Sequence, residues 1–209
     1  MGRSIGITQF LSRNFKTYDL SAEWIKAIGP IEYGFRMLVW GLSAQGKTTF
    51  VMKLAKELSR FGKVYYNSIE QGESKSLQDV IKRVDLTDCT GKIVFGDRDT
   101  FDEMIEKLKR NRATFIIIDS AHYINLTQHQ YKTLNELFPR KGIIIISWEG
   151  ASGLPKGEHM KSVQYMVDIK CRVSKGIAKA QSRYGDTSPY LVFHAEPVVG
   201  ETIELEFNN

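Results

Sequence analysis

Apolar and polar residues follow two alternating patterns through the first three quarters of the chain. Runs rich in apolar and aromatic residues predict strands, at 35–40, 63–68, 92–95, 114–119 and 142–147. Between them, apolar residues recur at three- and four-residue spacing, which predicts helices over 50–58, 77–84, 100–108 and 131–138. Strands that alternate with helices in this way are typical of a parallel sheet with helices on both faces.

The pattern changes after Trp148. Residues 149–161 are rich in glycine and polar residues, which predicts a mobile loop. From Val163 onward, apolar and polar positions alternate without a helical period. This alternation predicts antiparallel strands that extend the sheet, at 163–173, 177–184, 190–194 and 202–207. The expected fold class is therefore α/β, with a mainly parallel sheet flanked by helices and antiparallel C-terminal strands.

The length of 209 residues fits one α/β domain. Residues 1–29 form an N-terminal segment that ends at Gly29-Pro30, and residues 30–209 form the predicted core. Within the segment, residues 21–27 predict one or two helical turns. Its apolar side chains either strap onto the core of their own chain or dock on a neighbouring subunit; they are Phe10, Leu11, Phe15 and Tyr18.

Composition limits the possible classes of protein. Hydrophobic residues make up 42% and charged residues 25%, as in soluble globular proteins. We find no apolar run near the roughly 20 residues that span a bilayer, and no secretory signal. Cys89 and Cys171 lack the spacing of a metal site and are expected to be reduced thiols in the cytoplasm. A net charge of +5 permits nucleic-acid binding.

A phosphate-binding motif lies between the first predicted strand and helix. The motif is G-x-x-x-x-G-K-T, and its residues are Gly41, Leu42, Ser43, Ala44, Gln45, Gly46, Lys47, Thr48 and Thr49. Gly41 and Gly46 let the backbone N–H groups turn inward around phosphate oxygens. Lys47 reaches the β- and γ-phosphates and the Thr48 hydroxyl ligates Mg²⁺, while the helix N-terminus adds its dipole. The predicted ligands are ATP and Mg²⁺.

Two carboxylates are candidates to complete this site. Asp119 ends an apolar strand at the sheet edge where ligands bind, so it is expected to hold Mg²⁺ through water, or else it is an ordinary turn residue. Glu70 follows the strand at 63–68. If that strand neighbours the P-loop strand, Glu70 faces the γ-phosphate and is the favoured base for water. Glu73 is the competitor, and either glutamate could instead be a solvated acid in the first helical turn.

The order of these motifs resembles the RecA-type ATPase core, which RecA recombinases, RadA repair proteins and DnaB-type helicases share. The resemblance covers residues 30–195. Within the family, the chain is most similar to the compact single-domain members that phages and mobile elements carry. The best-matching ranges are 41–49, 68–73, 116–120 and 143–157. Residues 180–185 resemble a strand that reaches the ATP of a neighbouring subunit. Within one chain Lys47 is the one obvious cation for the γ-phosphate, so the resemblance implies that Arg183 is an arginine finger supplied in trans.

The chain departs from this family pattern at two positions. Trp148 stands where RecA and DnaB types have glutamine and their relatives have histidine, and Gln181 stands where a lysine is expected. Tryptophan cannot sense a phosphate as those polar side chains do. Coupling between the nucleotide and the following loop is therefore expected to differ.

Basic residues are concentrated near the predicted C-terminal strands. Residues 170–185 hold five of them and no acid: Lys170, Arg172, Lys175, Lys179 and Arg183. Strand alternation puts Lys179, Gln181 and Arg183 on one face, which could meet a neighbour's γ-phosphate, DNA phosphates or only solvent. The glycine-rich loop carries Lys156, His159 and Lys161. Its counterpart in RecA-type proteins touches single-stranded DNA, and the alternative is an active-site lid.

These observations predict an Mg²⁺-dependent ATPase of RecA type that acts with single- or double-stranded DNA in replication, recombination or repair. A homo-oligomer, either a ring or a filament, is expected, and no membrane partner. The alternative is a nucleotide-switched regulatory or assembly factor that binds a protein. A small-molecule kinase is the weakest candidate, because nothing resembles a paired-arginine lid.

Overall fold

The computed structural model describes residues 4–194 and has one eight-stranded sheet in the order β3-β2-β4-β5-β1-β6-β7-β8. The strands are β1 Arg36–Gly41, β2 Val64–Ser68, β3 Ile93–Asp97, β4 Phe115–Asp119, β5 Gly142–Trp148, β6 Ile169–Ser174, β7 Ile177–Ser182 and β8 Tyr190–Leu191. Strands β1 to β6 are parallel, whereas β7 and β8 pair antiparallel. The expected α/β class with antiparallel C-terminal strands is confirmed.

Helices cover both faces of this sheet. They are α1 Ile7–Leu11, α2 Ala22–Ile28, α3 Lys47–Leu58, α4 Lys75–Val84, α5 Phe101–Arg110, α6 Gln128–Leu137 and α7 Glu158–Met166. Apolar residues of α2, α3 and α4 pack on one face, and those of α5, α6 and α7 pack on the other. Because β1, β4 and β5 are covered on both sides, nearly all their residues are buried. In the described part of the chain, no helix has the length and hydrophobicity that crossing a membrane requires.

The segment after β5 differs from the prediction. Residues 158–166 form α7, because Met160, Val163 and Val167 are buried at helical spacing. The strand that follows, β6, runs parallel to β1 and not antiparallel. Its sequence alternates because Ile169 and Cys171 are buried on one face of the strand, while the residues on the other face are more exposed. The predicted strand at 202–207 and the acidic tail lie outside the described residues.

The position of β2 is also different. This strand pairs with β3 and β4, so β4 and β5 separate it from the P-loop strand β1. The condition under which Glu70 was expected to face the γ-phosphate, that β2 neighbours β1, is therefore not met. Glu70 must therefore reach the nucleotide site by another route.

The N-terminal segment divides into two parts. Tyr18 and Trp24 are buried in the core, and the Trp24 ring stacks on Tyr190 at 4.5 Å and contacts Phe50 of α3 at 5.6 Å. This part straps onto its own chain. Four large apolar side chains before it are exposed, with exposed fractions of 81%, 51%, 77% and 51% for Ile7, Phe10, Leu11 and Phe15.

Candidate nucleotide site

A cavity of about 330 Å³ opens at the carboxyl end of β1. One wall is the P-loop, and the others carry Glu70, Gln71, Arg83, Asp119 and Phe193. No side chain caps the N-terminus of α3, and its first turn has no acidic residue. The free N–H groups of that turn therefore point towards a position that suits phosphate.

The two P-loop glycines are needed for different reasons. Gly46 has a φ of 104°, in the region that favours glycine, as the motif predicts. Gly41 has an ordinary strand conformation, but a side chain there would collide with the carbonyl oxygen of Val173 on β6. Gly41 is thus required for close approach of β6, and Gly46 for the turn itself.

Lys47 is largely buried at the first position of α3, and its Nζ donates to the carbonyl oxygen of Leu42 at 2.8 Å. Burial lowers the pKa of this lysine, an effect that the carboxylates of Glu70, Asp119 and Glu149 oppose. The ammonium is therefore held inside the loop that would surround a phosphate. A phosphate would replace the carbonyl as its partner.

Thr48 and Asp119 meet beside the cavity, where the Thr48 hydroxyl donates to Asp119 Oδ2 at 3.1 Å. Tyr66 donates to the same oxygen at 2.5 Å. Burial raises the pKa of Asp119 to about 6, helped by Glu70 and opposed by the hydrogen bonds from Tyr66 and Thr48 and the charge of Lys47. A hydroxyl and a carboxylate are oxygen ligands of the kind that Mg²⁺ prefers, so these residues fit the ion.

Within residues 4–194, no three or more His, Cys, Asp and Glu side chains are grouped closely enough to hold a metal ion. Mg²⁺ bound with nucleotides commonly takes one or two protein ligands and completes its shell with phosphates and water. The donors at Thr48 and Asp119 match that kind of site.

Glu70 lines the cavity, and Glu73 does not. The backbone N–H groups of Ile69 and Glu70 donate to the Asp119 carbonyl oxygen at 2.7 and 2.9 Å. This pairing with the end of β4 brings Glu70 to the site although β2 is distant from β1. Glu73 is exposed, and its N–H donates to Asp97 at the edge of the sheet. The placement thus favours Glu70.

The structure adds two residues that the sequence analysis missed. Arg83, near the end of α4, provides a second cation in the same chain. Phe193 packs its ring against Gly46 and Gly176, at which an added Cβ would lie 2.6 and 2.9 Å from ring atoms. Neither residue belongs to a local motif, because each depends on how α4 and the segment after β8 pack on α3.

Arg183 lies at the end of the sheet where β1 begins, opposite the end that carries the P-loop cavity of the same chain. Its guanidinium is paired with Asp168 at 3.2 Å and is 63% exposed. Asp168 in turn accepts from the backbone N–H of Arg36, the first residue of β1, whereas the P-loop follows the last. A role at the nucleotide of its own chain is thus ruled out by position, and the expected role in trans stays a prediction.

Aromatic and basic side chains surround the Trp148 ring at the end of β5. His122 stacks on its ring at 4.6 Å, Tyr123 meets its edge at 5.5 Å, and the ammonium of Lys156 lies 5.1 Å from its centre. His122 is also within hydrogen-bond distance of Ser147, at 3.1 Å. Trp148 is absent from the walls of the nucleotide cavity. Its ring therefore organises the neighbouring loops and does not face the phosphates.

The glycine-rich loop folds back on the sheet. Lys156 N–H donates to the Trp148 carbonyl at 2.8 Å, and the indole N–H of Trp40 on β1 donates to Gly153 at 3.0 Å. Arg172 of β6 forms a bidentate ion pair with the Glu149 carboxylate, at 2.6 and 2.9 Å. A loop predicted to be mobile is thus attached to β1, β5 and β6.

Comparisons with known proteins agree with this topology. No protein-family model matches the chain, and no curated protein sequence gives a significant match. Among solved structures, a KaiC-like protein of Pyrococcus horikoshii matches at a TM-score of 0.60 and 15% identity, covering 84% of this chain and 93% of that one. The flagellar accessory protein FlaH of Methanocaldococcus jannaschii matches at 0.59 and 17%, covering 84% and 92%. The chain therefore has a RecA-like α/β fold.

Proposed function

We propose that this protein is an Mg²⁺-dependent ATPase. The observation that carries the proposal is the meeting of Lys47, Thr48, Asp119 and Glu70 around one cavity. Lys47 and the N–H groups of α3 would bind the phosphates. Thr48 and Asp119 would hold Mg²⁺, which neutralises phosphate charge when bound.

In this proposal, Glu70 accepts a proton from the water that attacks the γ-phosphorus. The new bond joins that oxygen to phosphorus, and the bond to the bridging β–γ oxygen breaks, so that ADP leaves. Arg83 lines the same cavity and would offset negative charge on the phosphates. Phe193 offers an aromatic wall on which a nucleobase can stack.

The proposed partner is DNA. The support for this is the group formed by Tyr123, Trp148, Lys156 and His159, which we call the aromatic–basic cluster. Tyr123 is 51% exposed, and Lys156 and His159 are exposed beside a cavity of about 300 Å³. Aromatic rings next to cations bind single strands by base stacking and phosphate contact.

Single-stranded DNA is expected to quench the tryptophan fluorescence of the protein and to raise its ATP turnover. The chain has three tryptophans, and Trp24 and Trp40 are only 4% and 7% exposed, so Trp148 is the residue that DNA can reach. The measurement is an oligo-dT titration followed by fluorescence and by phosphate release. Trp148→Phe should lose the quenching, whereas Trp24→Phe should keep it.

If oligo-dT changes neither fluorescence nor turnover, the DNA part of the proposal is wrong. ATP turnover that is unaffected by DNA would favour the alternative, a nucleotide-switched factor with a protein partner. The absence of any ATP binding or turnover would contradict the ATPase proposal itself.

We also propose that the subunits form a homo-oligomer. The exposed side chains of Ile7, Phe10, Leu11 and Phe15 provide an apolar surface that a second copy could cover. Arg183, exposed at the edge of the sheet opposite the P-loop, is placed where it could reach the nucleotide of another subunit. Its pair with Asp168 would have to open for this contact.

Turnover per subunit is accordingly expected to rise with protein concentration, and Arg183→Ala should remove this rise while ATP still binds. A mixture of Arg183→Ala and Lys47→Ala subunits should regain part of the activity, because each provides what the other lacks at a shared interface. Lys179→Ala, which removes an exposed positive charge from β7, the strand that leads to Arg183, is the matched control. Steady-state phosphate release measures the concentration dependence and the activity of the mixture. Native mass spectrometry identifies the protein concentrations at which the subunits assemble.

A mixture that stays inactive, together with turnover that does not depend on concentration, would show that Arg183 is not an arginine finger. The loss of Arg183 should then weaken the salt dependence of DNA binding, as expected for a phosphate contact.

A further inference from the structure

Two adjacent tyrosines of β2 each donate a hydrogen bond to a buried aspartate. Because successive strand residues point to opposite faces, their partners differ. Tyr66 donates to Asp119 Oδ2 at 2.5 Å, next to the nucleotide cavity. Tyr65 donates to Asp99, which also pairs with Lys107 at 2.6 Å and lies on the other face of the sheet. The chain thus contains a site contact and a matched structural contact of the same chemistry.

The contact at Asp119 is closed to solvent. Tyr66 is 0% exposed and Asp119 is 3% exposed. Asp119 Oδ2 accepts from Tyr66 on one side and from Thr48 on the other. These two donors belong to β2 and to the P-loop, so the plane of the carboxylate is set by two separate elements. The Tyr66 ring packs on Phe95 at 5.5 Å, which limits movement of its hydroxyl.

The two donors are not equivalent when metal is present. The Thr48 hydroxyl is the proposed direct ligand of Mg²⁺, so its position is then determined by the ion as well as by Asp119. The Tyr66 hydroxyl is not among the proposed ligands, so its bond to the carboxylate would be retained when the ion binds. Replacing a residue that holds a metal ligand in this way typically lowers metal affinity or activity by about 10- to 100-fold.

We propose that Tyr66 is a positioning residue for Mg²⁺, whose hydroxyl holds the Asp119 carboxylate towards Thr48. This inference rests on the proposed nucleotide function. Without the hydroxyl, the carboxylate loses a donor that fixes its plane, and a buried acceptor is left with fewer partners. The expected consequence is weaker Mg²⁺ binding, with the P-loop contacts to the nucleotide preserved.

The experiment compares Tyr66→Phe with Tyr65→Phe in the full chain. Equilibrium binding of mant-ATP is measured as Mg²⁺ is varied, and again in EDTA. Tyr66→Phe is expected to need about 10- to 100-fold more Mg²⁺ for half of the Mg²⁺-dependent binding. Binding in EDTA should be unchanged. Tyr65→Phe should retain the wild-type Mg²⁺ dependence, and thermal melts show how far each variant is destabilised.

A second pair of variants tests whether Tyr66 acts through Asp119. Asp119→Asn should itself raise the Mg²⁺ concentration needed for half of the Mg²⁺-dependent binding. Adding Tyr66→Phe to that variant should change this concentration little further. This pair also provides a result if Tyr66→Phe alone folds poorly, because the amide in the Asp119→Asn background carries no charge to bury.

Wild-type Mg²⁺ dependence in Tyr66→Phe would overturn the inference, as would an equal change in Tyr65→Phe. A clearly weaker affinity for Mg²⁺ in the double variant than in Asp119→Asn alone would also overturn it. A wild-type protein that binds no mant-ATP at all would instead contradict the proposed function.

Discussion

Glu70→Gln is expected to lower ATP turnover by roughly 10²-fold or more while ATP still binds, since that is the usual scale for loss of a general base. Glutamine keeps the size of the side chain but cannot accept the proton of the attacking water. The backbone bonds from Ile69 and Glu70 to Asp119 do not involve the side chain, so the geometry should survive. Single-turnover phosphate release together with mant-ATP binding separates chemistry from affinity.

Glu73→Gln is the control for that experiment. Glu73 is exposed and outside the cavity, so its replacement should leave turnover close to the wild-type value. If the loss of hydrolysis appeared in Glu73→Gln and not in Glu70→Gln, the assignment of the base would be wrong.

Lys47→Ala should abolish ATP turnover and leave the protein folded. Lys47 lines the cavity, and in the proposed function it is the cation that the P-loop would direct at the phosphates. Burial lowers its pKa, which means that the folded state disfavours this charge, and its removal should not destabilise the chain. Alanine also has a high helix propensity, so the substitution should not disturb α3. Circular dichroism and thermal melting check the fold, and coupled-enzyme turnover checks the activity.

Lys56→Ala, on the same helix but outside the cavity, is the matched control and should retain activity. Its contacts with Asp85 are at the surface, so only a small loss of stability is expected. Turnover in Lys47→Ala equal to that of the wild type would refute the P-loop interpretation of this chain.

Much of this site was predictable because its signals are local. The buried strands β1, β4 and β5 are apolar runs, since helices cover both of their faces. The P-loop occupies one turn between a strand and a helix, so spacing alone identifies Lys47 and Thr48. Asp119 follows from its position at the end of an apolar strand.

The remaining features depend on packing between distant segments. The direction of β6 could not be read from its alternation, because an uncovered face gives the same pattern in parallel and antiparallel strands. Arg83 and Phe193 join the cavity only through the packing of α4 and the segment after β8 on α3. The choice of Glu70 over Glu73 depends on hydrogen bonds to the end of β4.

The stack of Trp24 on Tyr190 has a consequence for the order of folding. These two residues are far apart in the sequence, yet both pack on Phe50 of the helix that carries the P-loop. Contacts of such long sequence separation close large loops and form slowly. During synthesis, the P-loop helix leaves the ribosome well before the strand that completes its packing. We therefore expect the packing around the nucleotide site to be completed only after the strand that carries Tyr190 has been made.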